Sequence, residues 1–195
     1  MNQSDLLDQW ERRHGDPSLR PEAAQVLVQN RHLLPAQGLA ADLACGLGGN
    51  ALLLAEAGLR VSAWDLSTVA IERLRNTAIA GGLSNLQPEV RDVAARPPTA
   101  AAFDVIVVSN YLERRLAPAL IAALKPGGLL FYQTFTRIAV TGRGPNNPAF
   151  RLTDNELLGL FGALAIRFYR EENRLGDLRK GHRDVAMLVA ERVRD

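Results

Sequence analysis

At 195 residues the chain has the length of one ordinary domain with a sizeable core, which leaves little room for a second. Lys plus Arg number 23 against 21 Asp plus Glu, a net charge of +2 that is too near balance to support nucleic-acid or anionic-membrane binding. The 47% hydrophobic and 23% charged content is that of a folded globule, and the single cysteine, Cys45, excludes an intrachain disulfide and a thiolate-rich metal site built from this chain alone.

No segment holds 18 uninterrupted apolar residues, and Met1 to Arg13 mixes acids, bases and glutamines where a signal would be apolar. A soluble, cytoplasmic protein in a reducing compartment is expected.

In chain order, residues 1–35 read as a helical cap ahead of a core domain at 36–195. Asp5 to Arg13 carries Leu6, Leu7 and Trp10 at helical spacing, and Pro21 is placed to start a second helix through Val26 and Leu27. After Pro35, short apolar runs alternate with amphipathic stretches, the pattern of a parallel sheet covered on both faces. Strands are predicted at Leu39 to Leu43 and Arg60 to Trp64, with a helix from about Asn50 to Glu56 between them. Ser67 is a candidate cap for a helix running through Ala78, followed by a strand at Leu86 to Val90 that Pro88 assigns to a sheet edge. Phe103 to Ser109 reads as a buried parallel strand and Leu112 to Leu124 as a helix. The turn Lys125 to Gly128 then leads into a strand at Leu129 to Phe135.

Thr136 to Arg151, rich in Gly, Pro and Asn, has no convincing strand or helix and exceeds the usual connection of about 4 to 6 residues, so it is read as a functional loop. Thr153 with Glu156 three residues on predicts a helix cap, and Leu164 to Tyr169 and Val185 to Val189 pair naturally as an antiparallel hairpin around a charged connection.

The segment ADLACGLGGNALLL, Ala41 to Leu54, carries the most chemistry. It leaves a strand and enters a helix, so Gly46, Gly48 and Gly49 can bring the backbone close beneath a ligand. The spacing is neither the G-x-G-x-x-G of a dinucleotide fingerprint nor a P-loop, which would also need a lysine. Asp42 before the turn disfavours a pyrophosphate and suits an ammonium group. Asp65, at the tip of the second strand, suits the two hydroxyls of a ribose, and Asp92, after the third, suits an adenine edge. The alternatives are a plain tight turn flanked by solvated acids, or a nicotinamide or flavin site that shares the ribose contact.

Together with SAWDLS at 62–67, RDV at 91–93, FDVIVVSNYL at 103–112 and LKPGGLL at 124–130, this turn resembles the class I S-adenosylmethionine-dependent methyltransferases. Within them the chain is more similar to the small tellurite-resistance-like group, over about Leu39 to Val189. The resemblance implies a three-layer Rossmann-like fold with a mostly parallel seven-stranded sheet and an antiparallel C-terminal strand. It also implies S-adenosyl-L-methionine as cofactor, with S-adenosyl-L-homocysteine as product, and a small-molecule acceptor. By the same resemblance Asp42 orients the methionine amino group directly or through water, Gly46 and Gly48 border the methionine portion, and Ala44 and Asn50 are also cofactor-binding. Asp65 holds the ribose, Leu66 packs on adenine, Asp92 with Val93 reads its edge, and Asn110, itself counted as cofactor-binding, lines with Tyr111 the opening between cofactor and substrate. Ala44 stands where many related loops have glycine, so its backbone is expected to avoid a conformation reserved for glycine.

The acceptor side is assigned to Trp10, Arg13, Tyr111, Tyr132 and Arg143, on the cap, the strand ends and the long loop. Most of Phe131, Tyr132 and Phe135 is expected to pack the sheet. No catalytic residue is designated: Glu113 and His182 are the available bases, each as well explained by a helix start and a charged connection. Cys45 is read as packing, with no base beside it. Asp65→Ala is expected to weaken cofactor binding with the fold intact, and Gly46→Val to do more by crowding the turn. A protein or RNA methyltransferase and a noncatalytic S-adenosylmethionine-binding module remain alternatives.

Overall fold

The computed structural model describes residues 3–194; residues 1, 2 and 195, the outer ends of the two predicted segments, and the side chains of residues 3–6, Leu6 among them, lie outside the described residues. Seven strands form one sheet in the order β3-β2-β1-β4-β5-β7-β6: β1 Leu39–Leu43, β2 Arg60–Asp65, β3 Leu86–Val90, β4 Phe103–Ser109, β5 Leu124–Phe135, β6 Ala165–Glu171 and β7 Val185–Glu191. The first five run parallel, and β7 inserts antiparallel between β5 and β6. Helices α1 Gln3–His14, α2 Gln25–Gln29, α3 Gly49–Glu56, α4 Thr68–Ala80, α5 Ala117–Ala123 and α6 Glu156–Leu160 complete three layers. Among the described residues no helix is long and apolar enough to cross a membrane.

The period-2 alternation of the strands divides the core. Ala41, Leu43, Ile106, Val108, Leu130, Tyr132 and Leu188 face one cluster, which includes Leu120 of α5 and Leu157 of α6. Ala40, Val105, Val107, Phe131, Met187 and Val189 face the other, with Leu27 of α2, Leu54 of α3 and Leu74 of α4. Each fully buried Leu, Ile or Phe contributes roughly 1.5–3 kcal/mol relative to exposure. Pro88, which has no N–H to donate, sits opposite Ala63 on edge strand β3.

The prediction differs from the structure mainly where helices are short. Pro21 starts none; α2 covers only five residues, held by its buried Val26 and Leu27. The helix predicted from Leu112 begins with a 3-10 turn at Arg114–Leu116 and ends at Ala123, because Leu124 already pairs with Phe103 in the sheet. The 136–151 segment carries a 3-10 turn at Pro148–Phe150 and a bridge from Thr136 to Leu152. Thr153 does not cap α6: Glu156 accepts from both its N–H and its hydroxyl, while Asn155, at φ +60°, precedes the helix.

Candidate functional site

Because β1 to β3 advance toward one side and β4 and β5 toward the other, the chain reverses direction beside β1, and a crevice opens at the carboxyl ends of the parallel strands. Asp42 is near the end of β1, Asp65 ends β2, and Asp92 follows β3, so adjacent strands bring the three carboxylates to one rim.

Asp42 is fully enclosed. It accepts from Asn50 Nδ2 at 3.2 Å and Ala51 N at 3.0 Å, so the start of α3 holds it, and Asn50 Nδ2 also reaches Ser109 Oγ at 2.9 Å. Burial pushes its carboxyl up to about 7; the Asn50 and Ala51 hydrogen bonds oppose this, and the nearby Asp65 charge adds to it. Among the described residues neither Asp42 nor Asp65 has an ion pair with lysine or arginine.

Asp65 accepts from Gly46 N at 2.8 Å on one oxygen and Ser67 N at 2.9 Å on the other. It therefore holds the glycine turn against the start of α4, so Asp65→Ala would cost stability as well as a ligand contact, because two backbone donors would lose their acceptor. Asp92 Oδ1 accepts from Ala94 and Ala95 N, Val93 is buried, and Leu66 is 38% exposed beside Asp65, an apolar surface open to a planar ring.

Ala44 has φ +52°, which corrects the expectation that it would avoid left-handed backbone. Its geometry turns the chain out of β1 so that Cys45 N reaches Trp64 O at 3.0 Å. A left-handed L-residue costs about 1–2 kcal/mol, partly offset by glycine's larger unfolded-state entropy of about 0.4–1 kcal/mol. Ala44→Gly should therefore stabilise by about 0.5–1 kcal/mol and raise the melting temperature by about 1–4 °C. A thermal unfolding curve shifted downward would contradict this. Gly46 also has φ +52°, and a Cβ there would meet only His14 Nε2, at an ordinary 3.5 Å. The expected damage from Gly46→Val thus arises from backbone strain, with crowding from the chain minor. Crowding belongs to Gly49, whose Cβ would collide with the Glu22 backbone, 2.6 Å from its nitrogen.

The cap is fastened at several points that its sequence did not reveal. Glu11 accepts from Thr68 N at 2.8 Å, Val69 N at 3.1 Å and Ser67 Oγ at 3.0 Å, placing a carboxylate on the exposed donors at the N-terminus of α4. Arg73 donates to the carbonyls of His14, Asp16 and Leu19. Ala24 N donates to Asn50 Oδ1 at 2.8 Å and Val26 N to Gln133 Oε1 at 3.0 Å. Trp10 stacks on His14 with ring centroids 5.7 Å apart, and the exposed Arg13 guanidinium lies 5.5 Å from the Trp10 ring.

On the opposite rim, Asn110 takes the left-handed conformation at φ +55°, and the Tyr111 carbonyl accepts from Tyr132 OH at 2.9 Å. Tyr132 is buried against Phe161, so it backs Tyr111 from within the core, its phenol pushed up by burial. Burial, aided by Glu113, Asp92 and Asp65, raises the Tyr111 phenol to about 12. Glu113 accepts from Arg115 N, and His182 Nε2 lies 2.6 Å from Gln29 Nε2, so both candidate bases have structural partners. Burial pushes the Cys45 thiol up, in keeping with a packing role.

The long loop is a knot. Buried Arg151 donates to the carbonyls of Thr136, Arg143 and Pro145, and Asp184 accepts from the N–H groups of Val140, Thr141 and Arg143 and from the Thr141 hydroxyl. These bonds leave the Arg143 side chain exposed on the loop.

The strand order and the antiparallel β7 are those of the class I S-adenosylmethionine-dependent methyltransferase fold. Residues 40–128 match the methyltransferase domain family. The chain is 30% identical over 118 residues to the ubiquinone biosynthesis O-methyltransferase of Coxiella burnetii, covering 58% of this chain and 47% of that protein. The corresponding protein of Methylocella silvestris is 36% identical over 109 residues, covering 53% of this chain and 42% of its own length. The chain thus spans about half the length of the curated relatives it matches. Among solved structures, TehB from Haemophilus influenzae superposes with a TM-score of 0.67 at 19% identity, covering 95% of this chain and 66% of that one. Geranyl diphosphate C-methyltransferase from Streptomyces coelicolor A3(2) gives 0.73 at 17% identity, with 98% of each chain covered.

Proposed function

We propose that the chain transfers a methyl group from S-adenosyl-L-methionine to a small molecule held between the strand-end loops, the N-terminal cap and the 136–151 loop. The observation that carries this reading is the pair of carboxylates, Asp42 and Asp65, beside the glycine turn without a lysine or arginine partner among the described residues. That charge suits a ligand bearing an ammonium and a sugar, and the open Leu66 suits its base. When bound, the cofactor supplies the electrophilic methyl group and the leaving sulfide. The residues of this chain would orient its two ends and exclude water, and Tyr111, kept protonated by burial, serves as a wall.

Incubation with S-adenosylmethionine followed by mass spectrometry of the retained ligand tests the pocket. A labelled-methyl screen against thiols, oxyanions, small hydroxyl compounds, proteins and RNA then tests the transfer, and hydroxyl acceptors enter because the matched relatives are O-methyltransferases. Label confined to protein or RNA would replace the small-molecule reading, and retention without transfer to any class would leave a binding module.

Asp42 makes the binding proton-linked. Its folded pKa of about 7 stands above the carboxylate value of 3.8, so the stability it lends is complete below pH 3.8 and lost as the pH rises through about 7. An ammonium group arriving nearby lowers that pKa, so binding near pH 6.5 should release a fraction of a proton and affinity should rise from pH 6 to about 7.5. Calorimetric titration with S-adenosylhomocysteine in two buffers of different ionisation enthalpy reads this directly. Heats that agree in both buffers would remove Asp42 from the ammonium contact.

A further inference from the structure

Within the cap one polar side chain has no satisfied role. His14 is only 9% exposed, and its Nδ1 is sealed from solvent with no hydrogen-bond partner among the described residues. Nδ1 is therefore closed to a ligand, and the nitrogen the ring presents to the turn is Nε2, which is not sealed. The ring is stacked on Trp10, and Nε2 stands over the turn, 3.5 Å from where a Gly46 side chain would begin. The Gly46 amide beneath it is the one that Asp65 holds at 2.8 Å, so the imidazole and this carboxylate flank the same peptide unit. Glu11 accepts from the first N–H groups of α4 and Arg73 donates to the His14 carbonyl, which fixes α1 against α4 and with it the ring's position.

We propose that His14 is a cofactor-contact residue: its imidazole Nε2 hydrogen-bonds a sugar hydroxyl of the S-adenosyl ligand, the hydroxyl that also reaches Asp65. The inference rests on the cofactor reading above and extends it to a residue outside the core domain. A hydroxyl is the fitting partner because it can accept from the imidazole while donating to the carboxylate, whereas a second anion would be repelled by Asp65. Burial lowers the imidazole pKa more than the Asp65 charge raises it, so the ring is neutral at pH 7 and offers one donor and one acceptor. Docking of α1 then becomes part of ligand recognition, since undocking it would remove one of the sugar's partners.

The test compares S-adenosylhomocysteine with its 2′-deoxy and 3′-deoxy analogues on wild-type, His14→Phe and His14→Gln chains, all checked for folding by circular dichroism. Phenylalanine keeps the stack on Trp10 and removes both nitrogens; glutamine keeps a neutral polar group. His14→Phe should weaken S-adenosylhomocysteine about tenfold and one deoxy analogue less than about twofold, with His14→Gln recovering part of the difference. Equal losses for all three ligands, or no loss for any, would reduce His14 to packing and overturn the inference. A folded wild-type chain that binds none of the three would overturn the cofactor reading itself, a result distinct from equal losses.

Discussion

Gly49→Ala is expected to destabilise the protein by about 2–3 kcal/mol, although alanine is the better helix former by about 1 kcal/mol. Gly49 has ordinary helical backbone at the start of α3, so left-handed strain does not arise. What decides the sign is the backbone of Glu22, which runs across the position its Cβ would occupy. That segment of the cap cannot move aside cheaply: two residues on, Ala24 N is bonded to the buried Asn50, and Val26 N to Gln133 on β5. For a chain of this size the loss corresponds to a fall of about 4–12 °C in melting temperature. It should come with faster cleavage after Glu22 by a glutamyl endopeptidase, as the cap is pushed off the turn. A melting temperature equal to or above wild type would show that the cap does not lie on Gly49.

Asp65→Ala should weaken S-adenosylhomocysteine binding by roughly a hundredfold, the equivalent of two hydrogen bonds to a charged acceptor at about 1.5 kcal/mol each. The same change removes the acceptor of Gly46 N and Ser67 N, so stability should fall by about 1–3 kcal/mol. Binding is therefore measured well below the variant's melting temperature. An affinity within threefold of wild type would remove Asp65 from the sugar contact, whatever the change in stability.

Much of the sheet was legible because parallel strands buried on both faces must be nearly all apolar. LAADL and FDVIVVS have that character, and β1, β3 and β4 fall at the predicted residues. The antiparallel hairpin of β6 and β7 was legible from the charged stretch that separates its two apolar runs. The carboxylate rim was legible for a related reason: strand ends fix where the next polar residue must stand. What was not legible is the fastening of the cap. Glu11 and Arg73 have the helical spacing of solvated residues, and nothing local marks one as a cap for α4 and the other as a clasp on three carbonyls. His14 sits one residue beyond the predicted helix, and only the packing of α1 over Gly46 makes it informative. Ala44 was misjudged because residue type suggests what a backbone prefers, while a hydrogen bond formed across two strands determines what it adopts.

The knot around Asp184 bears on how the molecule is made. Its carboxylate grips Thr141 from 43 positions later in the chain, and the strand it introduces fills a gap between β5 and β6. During synthesis the glycine turn and its acidic rim emerge first and can assemble on β1 to β5, while the far wall has Arg151 but lacks the Asp184 half of its anchorage until residue 184 leaves the ribosome. A nascent chain stalled before that point would hold half a pocket with a slack edge. Ribosome-bound intermediates of this protein are therefore the forms in which proteases and chaperones should find residues 137–147 within reach.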